Sequence, residues 1–163
     1  MKRFLFCSAA LLLSIFFVGC SSDSHDGLVS DTIHMIGIAG TEVGNIKSRV
    51  TEATDKAKAG KKLDLTDAIE ATKKLKDTGD EAQKLKRKIE QVKAQITPED
   101  QKLNVQKHKD KLNAAFTELL KQKDELRTAL AEAEKISPSA KTAVKDLRDK
   151  IVEAESPFEA LSR

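Results

Sequence analysis

The chain has 163 residues, of which 34% are charged and 4% aromatic, and its formal net charge is +3. Without Lys2 and Arg3, which lie in an N-terminal leader, the 29 basic side chains become 27, against 26 acidic ones. This balance excludes a general electrostatic attraction to nucleic acid. A chain of this length is expected to form one domain.

The first 19 residues have the three parts of a signal peptide. Lys2 and Arg3 form a basic start, and an apolar run follows over residues 4–18. Gly19 is the small residue that a signal peptidase accommodates before its cut. The apolar run is shorter than the roughly 20 residues that span a bilayer, so a cleaved leader is favoured over a retained anchor.

The end of the leader, Phe17-Val18-Gly19-Cys20, resembles the lipobox of bacterial lipoproteins, with Phe17 where the pattern usually has Leu. The resemblance implies that Cys20 becomes the first mature residue and carries acyl chains, such as palmitate, on its sulfur and nitrogen. Ser21 rather than Asp follows the cysteine. This implies an outer-membrane anchor facing the periplasm in preference to the inner membrane. Plain secretion and an uncleaved signal peptide are the alternatives.

The segment after Cys20 is small, polar and unpatterned as far as Gly27. It is predicted to be a flexible tether with a reach of at most about 25 Å. The predicted organisation is therefore a signal peptide at 1–19, a lipidated cysteine and tether at 20–28, and one helical domain at 29–163. Cys7 is lost with the leader and Cys20 is acylated, so no disulfide is expected.

Apolar residues then recur every seven positions, which is typical of packed helices. The first stripe predicts a helix from about Asp31 to Ala59, ended by Gly60. The second stripe predicts a helix capped by Asp64 or Thr66 and continuing to about Ile96. The members of the two stripes include Val29, Ile36, Val43, Val50, Ala57, Ala68, Leu75, Ala82, Ile89 and Ile96.

Three cap-and-proline signals divide the rest of the chain. Thr97-Pro98 and Ser137-Pro138 each predict the start of a helix. Ser156-Pro157-Phe158-Glu159 fits a capping box and predicts a last, separate helical turn. Lys109 and Lys123 interrupt the third apolar stripe, which contains Val105, Leu112, Phe116, Leu119, Leu126, Leu130 and Ala133. The fourth stripe contains Ala140, Val144, Leu147, Ile151 and Ala154.

Helices with single apolar stripes and short connections predict an all-α, antiparallel up-and-down bundle of three or four long helices with coiled-coil-like heptads. No segment alternates with the period of a β-strand. An intermolecular coiled coil is the competing architecture, because seven-residue spacing is common to both.

The first candidate contact face is Ile36, Gly40 and Gly44 in the first helix. Each glycine costs about 1 kcal/mol relative to alanine inside a helix. The glycines are therefore interpreted either as a site of close approach by another helix or lipid, or as part of a broadly buried or frayed helix.

The second candidate is a basic cluster formed by Lys84, Lys86, Arg87 and Lys88. It could contact anionic head groups or an envelope polymer at short range. A solvated helix face is the simpler interpretation, supported by pairs at four-residue spacing such as Asp80 with Lys84. Nucleic acid is not expected, because no aromatic residues are interleaved for base stacking.

No metal site, cofactor or catalytic site is predicted. Asp31 and His34 would share a helix face, but a second such pair is missing. His25 is assigned to the tether, and solvent exposure is the default for all three histidines. The mature chain also has no free cysteine and no phosphate-binding glycine loop, so an enzyme is not expected.

Two functions remain. The first is a structural or interaction protein, anchored to the membrane through acyl chains on Cys20, that binds a protein partner or itself in the cell envelope. The second is a binding module whose amphipathic or basic helix faces contact lipid or an anionic polymer.

Overall fold

The computed structural model describes residues 24–159, which form four packed α-helices and no strand. The predicted all-α bundle is therefore confirmed. The leader, Cys20 and residues 160–163 lie outside the described part of the chain. The helices are α1 (His25–Lys58), α2 (Thr66–Lys93), α3 (Pro98–Glu134) and α4 (Pro138–Glu159).

Helix α1 begins six residues earlier than the sequence pattern predicts. Ser24 is its N-cap and accepts a hydrogen bond from the Gly27 backbone N–H at 3.2 Å. Residues 25–28, assigned to the tether, thus form the first turn, and Leu28 is buried. The helix ends as predicted, because Gly60 adopts a positive φ of 89° just beyond the cap.

The start of α3 follows the predicted capping chemistry, whereas that of α2 does so only in part. The N-cap of α2 is Leu65, which makes no side-chain cap hydrogen bond, and Thr66 is the first residue of the helix. The Asp64 carboxylate accepts hydrogen bonds from the backbone N–H and hydroxyl of Thr66 at 3.0 and 2.6 Å. Thr97 caps α3 by accepting from the Asp100 backbone N–H at 3.2 Å, and Pro98 takes the first helical position. Helix α2 ends at Lys93, before the predicted limit of Ile96.

The predicted helical break at Ser156-Pro157 is wrong, since α4 runs without interruption to Glu159. Pro157 removes one backbone donor, but it lies in the last turn, where few hydrogen bonds depend on it. Its buried ring packs against Gly79 of α2, where an added Cβ would come within 3.0 Å of Pro157 Cγ. Tertiary packing therefore overrides the local capping signal.

The helices run up and down, but α1 has its most extensive contact with α3 rather than with α2. The pairs His25–Asn104 and Lys47–Glu125 show that α1 and α3 are parallel neighbours. Two further pairs of helices pack extensively: α1 with α2, which are antiparallel, and α2 with α4, which are parallel. The contact between α3 and α4 is less extensive. Helices α2 and α3 hardly meet, although a short connection joins them.

The heptad stripes meet inside a single chain and form its core. All five residues spaced by seven along α1, from Val29 to Ala57, are buried. Burial in α3 is confined to its C-terminal half, where it includes Leu126 and Leu130. The central core cluster contains Ala39, Val43, Ile46, Val50, Ala53, Leu65, Ala68, Leu75, Leu126, Leu130, Ala133, Val144, Leu147, Ile151 and Ala154.

Candidate functional site

Helix α4 is too short to cover the full length of its neighbours. Its last turn lies against Gly79, whereas α2 continues to Lys93. The groove between α2 and α3, with α1 as its floor, is therefore filled by α4 over only part of its length. We call this groove the α4 groove. Its open half comprises residues 82–93 of α2, 98–116 of α3 and 25–36 of α1.

Heptad register identifies the side chains that face the open half. Residues seven apart share one stripe of a packed helix. On α2, the stripe that begins with buried Thr72 and Gly79 continues to Lys86 and Lys93. On α3, Lys123 pairs with Glu155 of α4 at 2.9 Å, and its stripe continues N-terminally to Phe116, Lys109 and Lys102. Both walls of the groove thus become basic beyond the end of α4.

An apolar cavity of about 200 Å³ opens where α4 ends. Ile36 forms part of its floor, while Phe116 and Leu120 line its α3 side and Phe158 its α4 side. Further along α3, Val105 lies on the same stripe as half-buried Leu112 and buried Leu126, and it is 41% exposed. The open half therefore combines partly exposed apolar side chains with basic walls.

The charge of this region differs from that of the chain as a whole. Residues 82–112 contain nine Lys and Arg against four Asp and Glu. The α1 segment opposite them adds two carboxylates, Asp26 and Asp31. Asp26 is held by Lys107 at 3.0 Å and by His108 at 2.9 Å. The open half therefore keeps a basic surplus that would attract an acidic partner.

A polar cluster fastens the first turn of α1 to α3. His25 is 4% exposed, and its Nδ1 lies 3.3 Å from the Asn104 side-chain amide. Burial, reinforced by nearby Lys93, lowers the pKa of His25. Hydrogen bonds from Lys107 and His108 lower the pKa of Asp26. The cluster favours neutral His25 and ionised Asp26, and so fixes the end of α1 that leads to Cys20.

The expectation that all histidines are exposed is wrong for two of the three. His25 is buried and His108 is half-buried, while His34 is exposed. The sequence signal that was missed is Ser24 as a helix cap, which places His25 in a helix instead of a tether. Within residues 24–159, no three His, Cys, Asp or Glu side chains are arranged to hold a metal ion.

The proposed basic cluster is partly engaged within α2. Lys84 pairs with Glu81 at 2.6 Å instead of with Asp80, and Lys86 is half-buried toward the groove. Arg87 and Lys88 are exposed. The cluster therefore does not form one face: half-buried Lys86 lies on the heptad stripe of Gly79, and the other three are exposed.

The glycine face packs within the molecule. Gly40 is buried, and a Cβ placed on it would lie 3.7 Å from Leu119 Cα of α3. A Cβ on Gly44 would meet the flexible side chain of Gln122 at 3.1 Å. The helix that approaches this face is thus α3 of the same chain. Ile36 is buried and contributes to the cavity beside α4.

None of the helices formed by residues 24–159 is long and apolar enough to cross a bilayer. Comparison with protein-family models, curated proteins and solved structures finds no match to this chain. The site is therefore interpreted from its own geometry. Its sequence signal was the recurrence of lysine at 102, 109 and 123. The heptad pattern was interpreted only as interrupted by Lys109 and Lys123, and Lys102 was not singled out.

Proposed function

We propose that this protein is a non-enzymatic, lipid-anchored bundle of the cell envelope that presents the open half of its α4 groove to a protein partner. One observation carries this proposal: α1 begins at the same end of the bundle at which the groove is open. His25, its first residue, contacts Asn104 near the start of α3.

The short distance between Cys20 and α1 supports a function close to a membrane. Three residues lie between Cys20 and the Ser24 cap, and the four residue steps from Cys20 to Ser24 span at most about 14 Å when fully extended. Acylation of Cys20 would hold the open end of the bundle near the head groups. The Ser21 position favours the outer membrane, with the bundle in the periplasm.

The anchor is tested by metabolic labelling with a palmitate analogue in a bacterium that processes lipoproteins. The wild-type chain is expected to incorporate the label and to sediment with outer membranes. Cys20→Ser should abolish both, whereas Cys7→Ser, in the leader, should leave both unchanged. Equal labelling of wild type and Cys20→Ser would refute acylation at this position.

A second candidate function is supported by the exposure of Arg87 and Lys88 on the outer face of α2. These side chains, with Lys84 and Lys86, could bind anionic lipid or polymer. The mature chain carrying Cys20→Ser would then bind anionic vesicles in a salt-dependent manner. Changing the four residues to glutamine should abolish binding, whereas changing Lys58, Lys61, Lys62 and Lys141 should not.

A further inference from the structure

We infer that the open half of the α4 groove binds an amphipathic helix of a partner protein, with acidic residues on both sides of its apolar stripe. This inference rests on the proposed interaction function and specifies the partner by its chemistry. It is drawn from the way α4 occupies the other half of the same groove.

Helix α4 shows what this groove accepts. Its apolar stripe, which includes Val144 and Leu147, is fully buried. Glutamates flank the stripe on both sides: Glu153 pairs with Lys76 of α2, and Glu155 pairs with Lys123 of α3. Near the end of α4, each wall of the filled half thus pairs a lysine with an acid of the inserted helix. Further from the open half the charges are reversed, because Arg148 of α4 pairs with Glu134 of α3 at 2.6 Å.

On α3 the open half repeats this arrangement, and no helix formed by residues 24–159 fills it: Lys109 and Lys102 continue the stripe of Lys123. On α2, Lys93 continues the stripe of Gly79, which contacts Pro157 of α4, whereas the stripe of Lys76 continues to Gln83 and Glu90. Lys93, Lys102 and Lys109 are exposed, and none forms an ion pair with another residue in the range 24–159. Half-buried Ile89 of α2 and Leu112 of α3 supply apolar surface between these lysines.

The length of the open half suits a short helix. Pro157 lies against Gly79, and α4 continues for two more residues, to the level of about residue 81 of α2. From there to Lys93, α2 extends for roughly 18 Å at 1.5 Å per residue, which a partner helix of about three turns would fill in either direction. Helix-in-groove recognition of this kind uses apolar anchors spaced by three, four and seven residues.

The geometry favours a helix over a membrane surface. The lysines lie on α2 and α3, on either side of a groove that runs along the bundle axis and narrows toward residues 94–97, where the Gln101 side chain donates a hydrogen bond to the Lys93 carbonyl oxygen at 3.0 Å. A bilayer would instead meet the outward-facing Arg87 and Lys88, or the tip formed by residues 94–97. Charge complementarity across two walls therefore identifies an acidic helix as the occupant.

The test uses the full chain in nanodiscs of zwitterionic lipid and a fluorescein-labelled peptide of about 15 residues. The peptide has a Leu and Ala stripe flanked by Glu, and its twin carries Lys in place of every Glu. Fluorescence anisotropy should show that the Glu peptide binds about tenfold more tightly than the Lys twin. Equal affinity for the two peptides, or binding of neither, would overturn the inference.

Charge reversal locates the binding. The double variant Lys93→Glu/Lys109→Glu should weaken binding of the Glu peptide about tenfold and strengthen that of its Lys twin. Lys141→Glu/Lys150→Glu makes the same change in net charge on α4 and should have no effect. A change at Lys93 could disturb the nearby first turn of α1. The variant Lys102→Glu/Lys109→Glu, whose changes are both on α3, avoids this and should weaken binding of the Glu peptide in the same way.

Other occupants would give different results. If the groove serves a second copy of the chain, sedimentation would show a dimer that Lys102→Glu/Lys109→Glu dissolves, and the peptide would fail to bind the dimer. If it serves lipid, the same variant would lose affinity for anionic nanodiscs while the Glu peptide fails to bind. Either result overturns the inference. Repeating the peptide measurement with Cys20→Ser separates failure of the groove from failure of the anchor.

Discussion

Lys123 and Glu155 form the ion pair that joins α3 to α4, with Nζ 2.9 Å from Oε2 and side chains only 25% and 16% exposed. The heptad pattern of α3 has lysine at this position, in the middle of an otherwise apolar stripe. The glutamate from α4 explains why the cation is tolerated there. The pair closes one side of the groove at the point where α4 ends.

We predict that Glu155→Gln lowers the free energy of unfolding by about 1 to 2 kcal/mol, because it leaves a partly buried lysine without its counter-charge. Urea unfolding followed by circular dichroism measures the change. The matched control is Asp149→Asn, since Asp149 pairs with Lys145 in an exposed position, with side chains 65% and 74% exposed. That loss should be below about 0.5 kcal/mol.

A double-mutant cycle separates the pair from its surroundings. The double variant Lys123→Met/Glu155→Gln should lose less free energy of unfolding than the sum of the losses of the two single variants. Each single variant leaves one charge of the pair without its partner, whereas the double variant leaves none. Strict additivity would mean that the two side chains do not interact in solution, and would remove the precedent on which the acidic partner helix rests.

Gly79→Ala is predicted to destabilise the protein although alanine favours helix formation. The new Cβ would lie 3.0 Å from Pro157 Cγ and 3.1 Å from the Ala154 backbone oxygen, so α4 would have to move away from α2. Overpacking of this kind costs about 1 to 3 kcal/mol, which exceeds the propensity gain of about 1 kcal/mol.

Gly37→Ala provides the opposite outcome in the same fold. A Cβ at Gly37 meets nothing within 4 Å, so only the gain in helix propensity remains. Thermal unfolding should show a rise in Tm for Gly37→Ala and a fall for Gly79→Ala. Similar shifts for the two variants would show that α4 does not pack closely against α2 at Pro157.

Much of the fold could be predicted because the information is local. Val43 and Val50 fall on the buried face of α1 through heptad spacing alone, and the Thr97 hydroxyl caps α3 as its sequence context indicates. Such features depend on the helical period and on hydrogen-bond chemistry within one turn. They do not require knowledge of which helices are neighbours.

The features that could not be predicted depend on contacts between distant segments. Pro157 stays helical because its ring packs on Gly79, and His25 is buried because α1 begins early and meets α3. The parallel contact of α1 with α3 leaves α2 and α3 apart, and this separation creates the α4 groove. Short connections constrain direction but do not select which pairs of helices touch.

Thr97→Ala is predicted to lower the free energy of unfolding by about 1 kcal/mol, because the Asp100 backbone N–H loses the hydroxyl that accepts its hydrogen bond. Thr117→Ala is the control, since its hydroxyl donates to the Asn113 carbonyl inside α3 and alanine is the better helix former. Denaturant unfolding should show a loss for the first variant only. A loss of the same size for Thr117→Ala would argue against a specific capping effect.

Burial of His25 predicts that the protein loses stability on mild acidification. Because burial holds the pKa of His25 in the folded state below the ordinary histidine value of about 6.5, the unfolded chain binds a proton more readily. Stability from this group is therefore present above about pH 6.5 and declines as the pH falls through that value toward the folded-state pKa. Urea midpoints measured between pH 7.5 and 5.5 should fall in the wild type.

His25→Gln removes the titrating group at the start of α1 and should flatten this part of the pH profile, whatever its effect on stability at pH 7.5. His34→Gln, at an exposed position on the same helix, should leave the slope unchanged. The Asp26 contribution is separable, because the pKa of that carboxyl is lowered and its stabilising effect is lost only at still more acidic pH. An identical slope in wild type and His25→Gln would show that the first turn of α1 does not hold His25 against α3, and that the open end of the groove is not fixed by this contact.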